Sequence, residues 1–231
     1  MPTPCSDRYQ LVRTGDRLEL HDTEDPKSGT VYVDFVQGKA RHRLKFGGGK
    51  GQDIAKAVGL NKLKNPHVID ATAGLGRESF VLASLGCTVT LLERNPVVHA
   101  LLEDGIRRAT ESQDEELHEI IQRMTLIYAD AKQWLQQSTD TEPAADVIYL
   151  DPMFPERRKS ARVQKEMHFF HQVVGDDQDD DTLLAIARRH CKHRVSVKRP
   201  RHAPLLAGKK PAFVISGKTI RYDVYLPLNR N

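Results

Sequence analysis

Cysteine is scarce in this 231-residue chain, and Cys5, Cys87 and Cys191 are far apart and odd in number. That spacing argues against a disulfide framework or a zinc knuckle and fits a reducing compartment, so a cytoplasmic protein is expected. No apolar run approaches the roughly 18 residues of a membrane span. The opening Met1-Pro2-Thr3-Pro4-Cys5 carries no signal-peptide core. The ten histidines show no ligand spacing such as His-Glu-x-x-His, so no metal is suggested. Gly-x-Ser-x-Gly is absent, as is any paired nucleophile and base. Repeats and low-complexity tracts are missing. What remains is an ordinary globular mixture, 39% hydrophobic and 29% charged, which excludes a disordered or fibrous chain. A chain of this size buries about 70% of its unfolded surface and needs no staples.

Charge of one sign is short in the second half. Residues 1–150 carry 18 Lys/Arg against 22 Asp/Glu, and residues 151–231 carry 17 against 9, which together give the net +4. Lys39 to Lys50 holds five basic residues and no acid, and Arg188 to Lys210 holds nine and no acid. Such asymmetry points to a polyanionic partner such as nucleic acid; a solvated basic face is the plainer reading.

Residues 7–46 alternate apolar and polar positions between turn signals at Thr14-Gly15-Asp16 and Pro26 to Gly29. They read as two or three short antiparallel strands, a small N-terminal β-rich extension over 1–46. From Gly47 onward, apolar runs alternate with helical patterns, so 47–231 is expected to form a Rossmann-like α/β domain. Its strands are placed at His67 to Ala73, Thr88 to Arg94, Thr125 to Asp130, Asp146 to Asp151, Arg194 to Lys198, Ala212 to Ser216 and Thr219 to Leu226. Helices are placed at 52–59, 77–85, 96–109, 115–122, 131–138, 163–174 and 181–191. Only Gly217-Lys218 separates the last two strands, a tight hairpin, so the final strand runs antiparallel. Five parallel strands and a terminal hairpin resemble the seven-stranded sheet of class I S-adenosylmethionine-dependent methyltransferases.

The first parallel strand ends at Asp70 and runs into Ala71-Thr72-Ala73-Gly74-Leu75-Gly76-Arg77-Glu78. Gly74 and Gly76 let the backbone turn sharply and approach a ligand, with the next helix's N–H groups behind them. Glu93 lies 23 residues beyond Asp70 at the next strand tip, placed to accept from ribose hydroxyls. Asp130 closes the third strand, where an adenine amino group would be held. A dinucleotide would bring its pyrophosphate against Asp70, whereas S-adenosylmethionine brings an ammonium and a sulfonium. The row of acids favours the methyl donor. Each acid alone also reads as a helix cap.

The fourth strand ends in Asp151-Pro152-Met153-Phe154-Pro155. This looks like the Asp/Asn-Pro-Pro-Tyr/Phe signature of methyltransferases acting on exocyclic amines, with Met153 in the second proline position. The Asp151 carboxylate and the Pro152 carbonyl would accept the amine's N–H bonds and favour its nucleophilic form, while Phe154 would stack on the base. Asp-Pro is also a common turn dipeptide. Flanking basic residues at Lys45, Lys50, Arg157, Arg158, Lys159, Lys198, Arg199 and Arg201 are candidate phosphate contacts, which supply affinity without sequence choice.

Val33-Asp34-Phe35-Val36, Lys45-Phe46-Gly47-Gly48-Gly49, Asp70 to Arg77, Leu92-Glu93-Arg94-Asn95-Pro96-Val97-Val98, Tyr149 to Pro155 and Val197-Lys198-Arg199-Pro200 resemble the bacterial ribosomal RNA small subunit methyltransferase J family. The resemblance runs from about residue 31 to the end; residues 1–30 look shorter or more divergent than the family and are assigned no role. It implies S-adenosylmethionine-dependent methylation of the exocyclic N2 of one guanosine in 16S ribosomal RNA. It also implies cofactor contacts at Arg77-Glu78, Glu93-Arg94, Asp130-Ala131 and Asp151, and makes Met153 the family's own variant. The alternatives are adenine-N6 methylation, a nicotinamide-dependent oxidoreductase and a catalytically silent RNA-binding relative. The residues themselves do not separate guanine from adenine. Oligomeric state is open, with a monomer favoured.

Overall fold

The computed structural model describes residues 8–25, 29–37, 49–137, 144–152 and 180–228. Strands β1 (Tyr9–Thr14) and β2 (Arg17–Asp22) form an antiparallel hairpin, and Val31 adds one antiparallel bridge to Leu20. The expected second and third strands of the extension are thus one full strand and a single bridge. Helix α1 (Asp53–Val58) precedes β3 (His67–Asp70), α2 (Arg77–Ser84), β4 (Thr88–Glu93), α3 (Pro96–Thr110), α4 (Glu115–Ile121) and β5 (Met124–Tyr128). Then follow α5 (Ala131–Gln137), β6 (Ala145–Leu150), α6 (Asp180–His190), β7 (Cys191–Pro200), β8 (Phe213–Ser216) and β9 (Ile220–Tyr225). The helix expected at 163–174 lies outside the described residues.

The main sheet has seven strands in the order β5-β4-β3-β6-β7-β9-β8. β3 to β7 are mutually parallel, and β9 runs antiparallel to both β7 and β8. This is the expected class I methyltransferase topology, with one extension: β7 begins three residues earlier and ends two later than expected. It can do so because β9 pairs with it from Val195 through Pro200. The order reverses between β3 and β6, the crevice where open α/β sheets hold ligands.

Local chemistry sets the helix starts. Asn95 caps α3 by accepting from the Val97 and Val98 amides at 2.9 and 3.2 Å, with Pro96 preset for the first turn. Asp114 caps α4 through the Leu117 amide at 3.0 Å, and Glu115 and Glu116 complement that helix's dipole.

The parallel strands are apolar on both faces, as a helix-covered sheet requires. Val68, Val89, Leu91, Val147 and Tyr149 pack under α1 to α4 on one face. Ile69, Leu92, Ile148, Leu150 and Val197 pack under α5 and α6 on the other. Cys87 and Cys191 are buried one on each face. The N-terminal segment shares the first core: Tyr9, Leu20, Val31, Val33 and Phe35 are buried in it, and Phe35 stacks on Phe80 of α2 at 4.9 Å. Asp104 of α3 fastens the hairpin, taking the Leu18 amide at 3.0 Å and the side chains of Arg13, Arg107 and Arg108. No described helix is long and apolar enough to cross a membrane.

Candidate active site

The tips of β3, β4, β5 and β6 bring Asp70, Glu93, Asp130 and Asp151 to one edge of the sheet, and backbone hydrogen bonds join the turns between them. Glu93 accepts from the Gly74 amide at 3.0 Å and the Asn95 amide at 2.7 Å, so one carboxylate shapes both the glycine turn and the start of α3. Gly74 is left-handed at φ 53°, and among the described residues a Cβ there would find only the Thr72 carbonyl oxygen, at 3.9 Å. Gly76 is left-handed at φ 69°, but a Cβ there would lie 2.7 Å from Leu102 Cδ1 and 3.3 Å from Phe35 Cζ. The two glycines therefore do different work: Gly76 permits core packing, while Gly74 borders open space above the turn.

Asp70 is 1% exposed beneath this turn. It accepts from Ser79 Oγ at 2.5 Å and from the Thr72 amide at 3.2 Å. Burial raises its carboxyl to about 7; the Ser79 and Thr72 hydrogen bonds oppose that shift, and the nearby Glu78 and Asp151 charges add to it.

Asp151 is anchored by its own amide, which donates to Thr72 Oγ1 at 2.6 Å, and Pro152 behind it is buried. The Lys198 ammonium reaches from β7 to Asp151 Oδ2 at 2.7 Å and to Glu78 Oε1 at 2.8 Å. Burial disfavours its charge, yet the two carboxylates outweigh burial and push the lysine above its ordinary range. Below them, fully buried Tyr149 has no hydrogen-bond partner for its hydroxyl among the described residues.

Asp130 shows the capping role foreseen for a lone strand-end acid: its Oδ1 accepts from the Lys132 and Gln133 amides at 3.0 and 3.1 Å. Its Oδ2 lies 3.6 Å from exposed Arg94, and Ala131 is buried as the first residue of α5. Arg77 is exposed at the first turn of α2.

Residues 2–227 match the family described as "Putative SAM-dependent methyltransferase". The Cellvibrio japonicus ribosomal RNA small subunit methyltransferase J is 51% identical over 220 residues, 94% of this chain and 82% of that protein. The protein of the same name from Colwellia psychrerythraea is 54% identical over 94% of this chain and 78% of its own length. The chain belongs to the ribosomal RNA small subunit methyltransferase J family. A crystal structure of a SAM-dependent methyltransferase from Neisseria gonorrhoeae superposes with a TM-score of 0.78 at 39% identity, covering all of this chain and 88% of that one. Membership in the methyltransferase J family replaces the nicotinamide alternative. The match begins at residue 2, so the β1–β2 hairpin lies within the matched region.

The donor set of this family member suits S-adenosylmethionine: the carboxylates of Asp70, Glu93, Asp130 and Asp151 stand along the strand tips around the turn. Two candidate phosphate contacts are placed elsewhere by the fold. Lys198 is engaged with Asp151 and Glu78, because β7 ends beside β6. Arg199 is 5% exposed and donates to the Pro204 carbonyl at 3.2 Å, because its alternate position on β7 turns it inward. Arg201 is exposed at the same edge. Lys45, Phe154, Arg157, Arg158 and Lys159 lie outside the described residues, as does the side chain of Lys50. Thr72 and Ser79 were not singled out in the sequence; an acid two residues before a Thr and nine before a Ser is too common a spacing to mark them.

Proposed function

We propose that this chain transfers a methyl group from S-adenosylmethionine to the exocyclic N2 of one guanosine in 16S small-subunit ribosomal RNA. The reading is supported by the curated relatives' name and by the motif residues that resemble that family. The observation that carries the chemistry is Asp151, held by Thr72 and Lys198 at the tip of β6 directly across from the Asp70–Gly74 turn. S-adenosylmethionine supplies an electrophilic methyl group on a sulfonium. Gly74, Gly76, Arg77, Glu78, Glu93, Arg94, Asp130 and Ala131 line its place, with Asp70 beneath. Glu93 accepts from ribose hydroxyls, and Asp130 stands at the adenine end.

Asp151 and the Pro152 carbonyl accept N–H bonds from the amine, which keeps its lone pair directed at the incoming methyl. Phe154 stacks on the base, and Arg201, Lys45, Lys50 and Arg157 to Lys159 hold phosphates. Much of the rate comes from alignment in a water-poor crevice. Residues 47–231 form the catalytic domain and 1–46 an extension, and the protein works as a cytoplasmic monomer.

Mass mapping of the methylated nucleoside, in ribosomal RNA treated with enzyme and labelled methyl donor, tests the substrate. A methyl on adenosine overturns the guanine assignment. Asp151→Ala is expected to keep cofactor binding while methylation falls by about 100-fold or more; unchanged turnover refutes the role.

A further inference from the structure

Asp70, Glu78 and Asp151 gather at one place, from β3, α2 and the tip of β6, with Tyr149 beneath and Tyr222 of β9 beside. Three carboxylates so close repel one another, and burial strengthens the repulsion. Among the described residues, Lys198 sets its ammonium against two of them, at 2.7 Å from Asp151 and 2.8 Å from Glu78. Its side chain is only 20% exposed, too enclosed for a loose surface contact. It also ties the first turn of the cofactor-side helix to the substrate-side motif, two segments that are otherwise 73 residues apart in the chain.

We propose that Lys198 is a positioning residue for methyl transfer: its ammonium holds the Asp151 carboxylate charged and aimed at the substrate amine, and does not grip RNA phosphate. The inference rests on the proposed role of Asp151. Among the described residues, titration of Asp151 answers to Lys198 from β7, Glu78 from α2, Asp70 from β3 and Tyr149 from its own strand. Neutralising Lys198 leaves three acids and two phenols there, so Asp151 should hold its proton to higher pH.

The test compares the wild type with Lys198→Met, and with Lys198→Arg as the conservative variant. The acid limb of the single-turnover rate against pH should move up by about one unit or more in Lys198→Met, the size of effect an adjacent opposite charge exerts. The maximal rate should fall while KM for RNA and its salt dependence stay near wild type. Lys198→Arg should restore most of the limb. Carbon-13 NMR titration of the aspartate carboxyls, without cofactor or RNA, should show the same upward move for Asp151, identified by its loss in Asp151→Asn. That titration separates the two readings. If wild-type enzyme methylates no ribosomal RNA but the Asp151 titration still moves, the functional reading fails and the charge coupling stands. If KM for RNA rises, the salt slope drops and neither pH curve moves, Lys198 is a phosphate contact and the proposal is wrong. Should Lys198→Met not fold, Lys198→Arg and Lys198→Gln carry the same titration. An Asp151 midpoint unaltered in Lys198→Gln refutes the proposal equally.

Discussion

Gly74 and Gly76 belong to one turn, share a left-handed backbone and differ in what surrounds them, so alanine at each should have opposite consequences. At Gly76 a new methyl group would lie 2.7 Å from Leu102 Cδ1, 3.3 Å from Phe35 Cζ and 3.5 Å from Leu91 Cδ2. Leu102, Phe35 and Leu91 are all essentially inaccessible to solvent, so none can swing aside. The backbone penalty for a non-glycine residue at positive φ is about 1–2 kcal/mol. Overpacking a filled core adds about 1–3 kcal/mol. Gly76→Ala should therefore cost about 2–5 kcal/mol, which at this chain length lowers the melting temperature by roughly 5–15 °C. Gly74→Ala bears only the backbone part, about 1–2 kcal/mol, because its nearest neighbour stands at ordinary contact distance. Urea denaturation of the cofactor-free variants should show Gly76→Ala with much the lower midpoint and an unchanged slope. Isothermal titration should rank them the other way in S-adenosylmethionine affinity per unit of stability lost, Gly74→Ala being the worse binder. Equal destabilisation of the two, or a Gly76→Ala cost below about 1 kcal/mol, would refute the packing argument.

Asp70 should make the cofactor-free protein less stable in alkali. Its folded carboxyl sits near 7 against an ordinary 3.8, so the folded state holds the proton more tightly and stability is lost as pH rises between those values. The full loss is about 4 kcal/mol by pH 8, and Asp70→Asn should flatten it in urea titrations at pH 5, 6.5 and 8; parallel curves would show that Asp70 is not responsible. Affinity for the cationic cofactor should rise around pH 7 as the folded Asp70 ionises, and calorimetry across pH 6–8 reads this directly. Asp104 behaves oppositely: burial opposes its charge, but the Leu18 amide and Arg108 and Arg107 outweigh it and hold the carboxyl at about 2. Its stabilisation is present above pH 4 and lost below, and Asp104→Ala, which leaves the Leu18 amide and the half-buried Arg108 without this acceptor, should cost about 1–3 kcal/mol by thermal denaturation. Glu93→Gln keeps one acceptor for the Gly74 and Asn95 amides where the carboxylate has two, so a weaker cofactor complex together with a loss of about 1–3 kcal/mol of stability is expected; a lower melting temperature with intact binding would make Glu93 purely structural.

The parallel strands and the terminal hairpin were legible because each carries a strong local signal: a Val/Ile/Leu run ending in an acid, or Gly217-Lys218 between two β-runs. The acids at the strand tips were legible for the same reason. The side-chain partners of Lys198 and Arg199 were not legible, because local charge pattern does not say which strand lies alongside. Only the pairing of Leu150 with Val197 puts Lys198 beside Asp151, and only the strand's pleat turns Arg199 inward. The share of the N-terminal segment in the first core was not legible, since nothing in Val33-Asp34-Phe35 announces that Phe35 stacks on Phe80, a contact across 45 residues. The early start of β7 was missed because α6 passes into it at His190-Cys191 with no turn residue to mark the change.

The place of β9 bears on what the sheet would expose without it. β9 lies between β7 and β8 and pairs with both, so the later strand of the hairpin is the inner one. Without Ile220–Tyr225, β7 would present a bare hydrogen-bonding edge over Val195 to Pro200 to any neighbouring strand, and β8 would lose the strand it pairs with. Deleting that one strand should therefore yield insoluble chains.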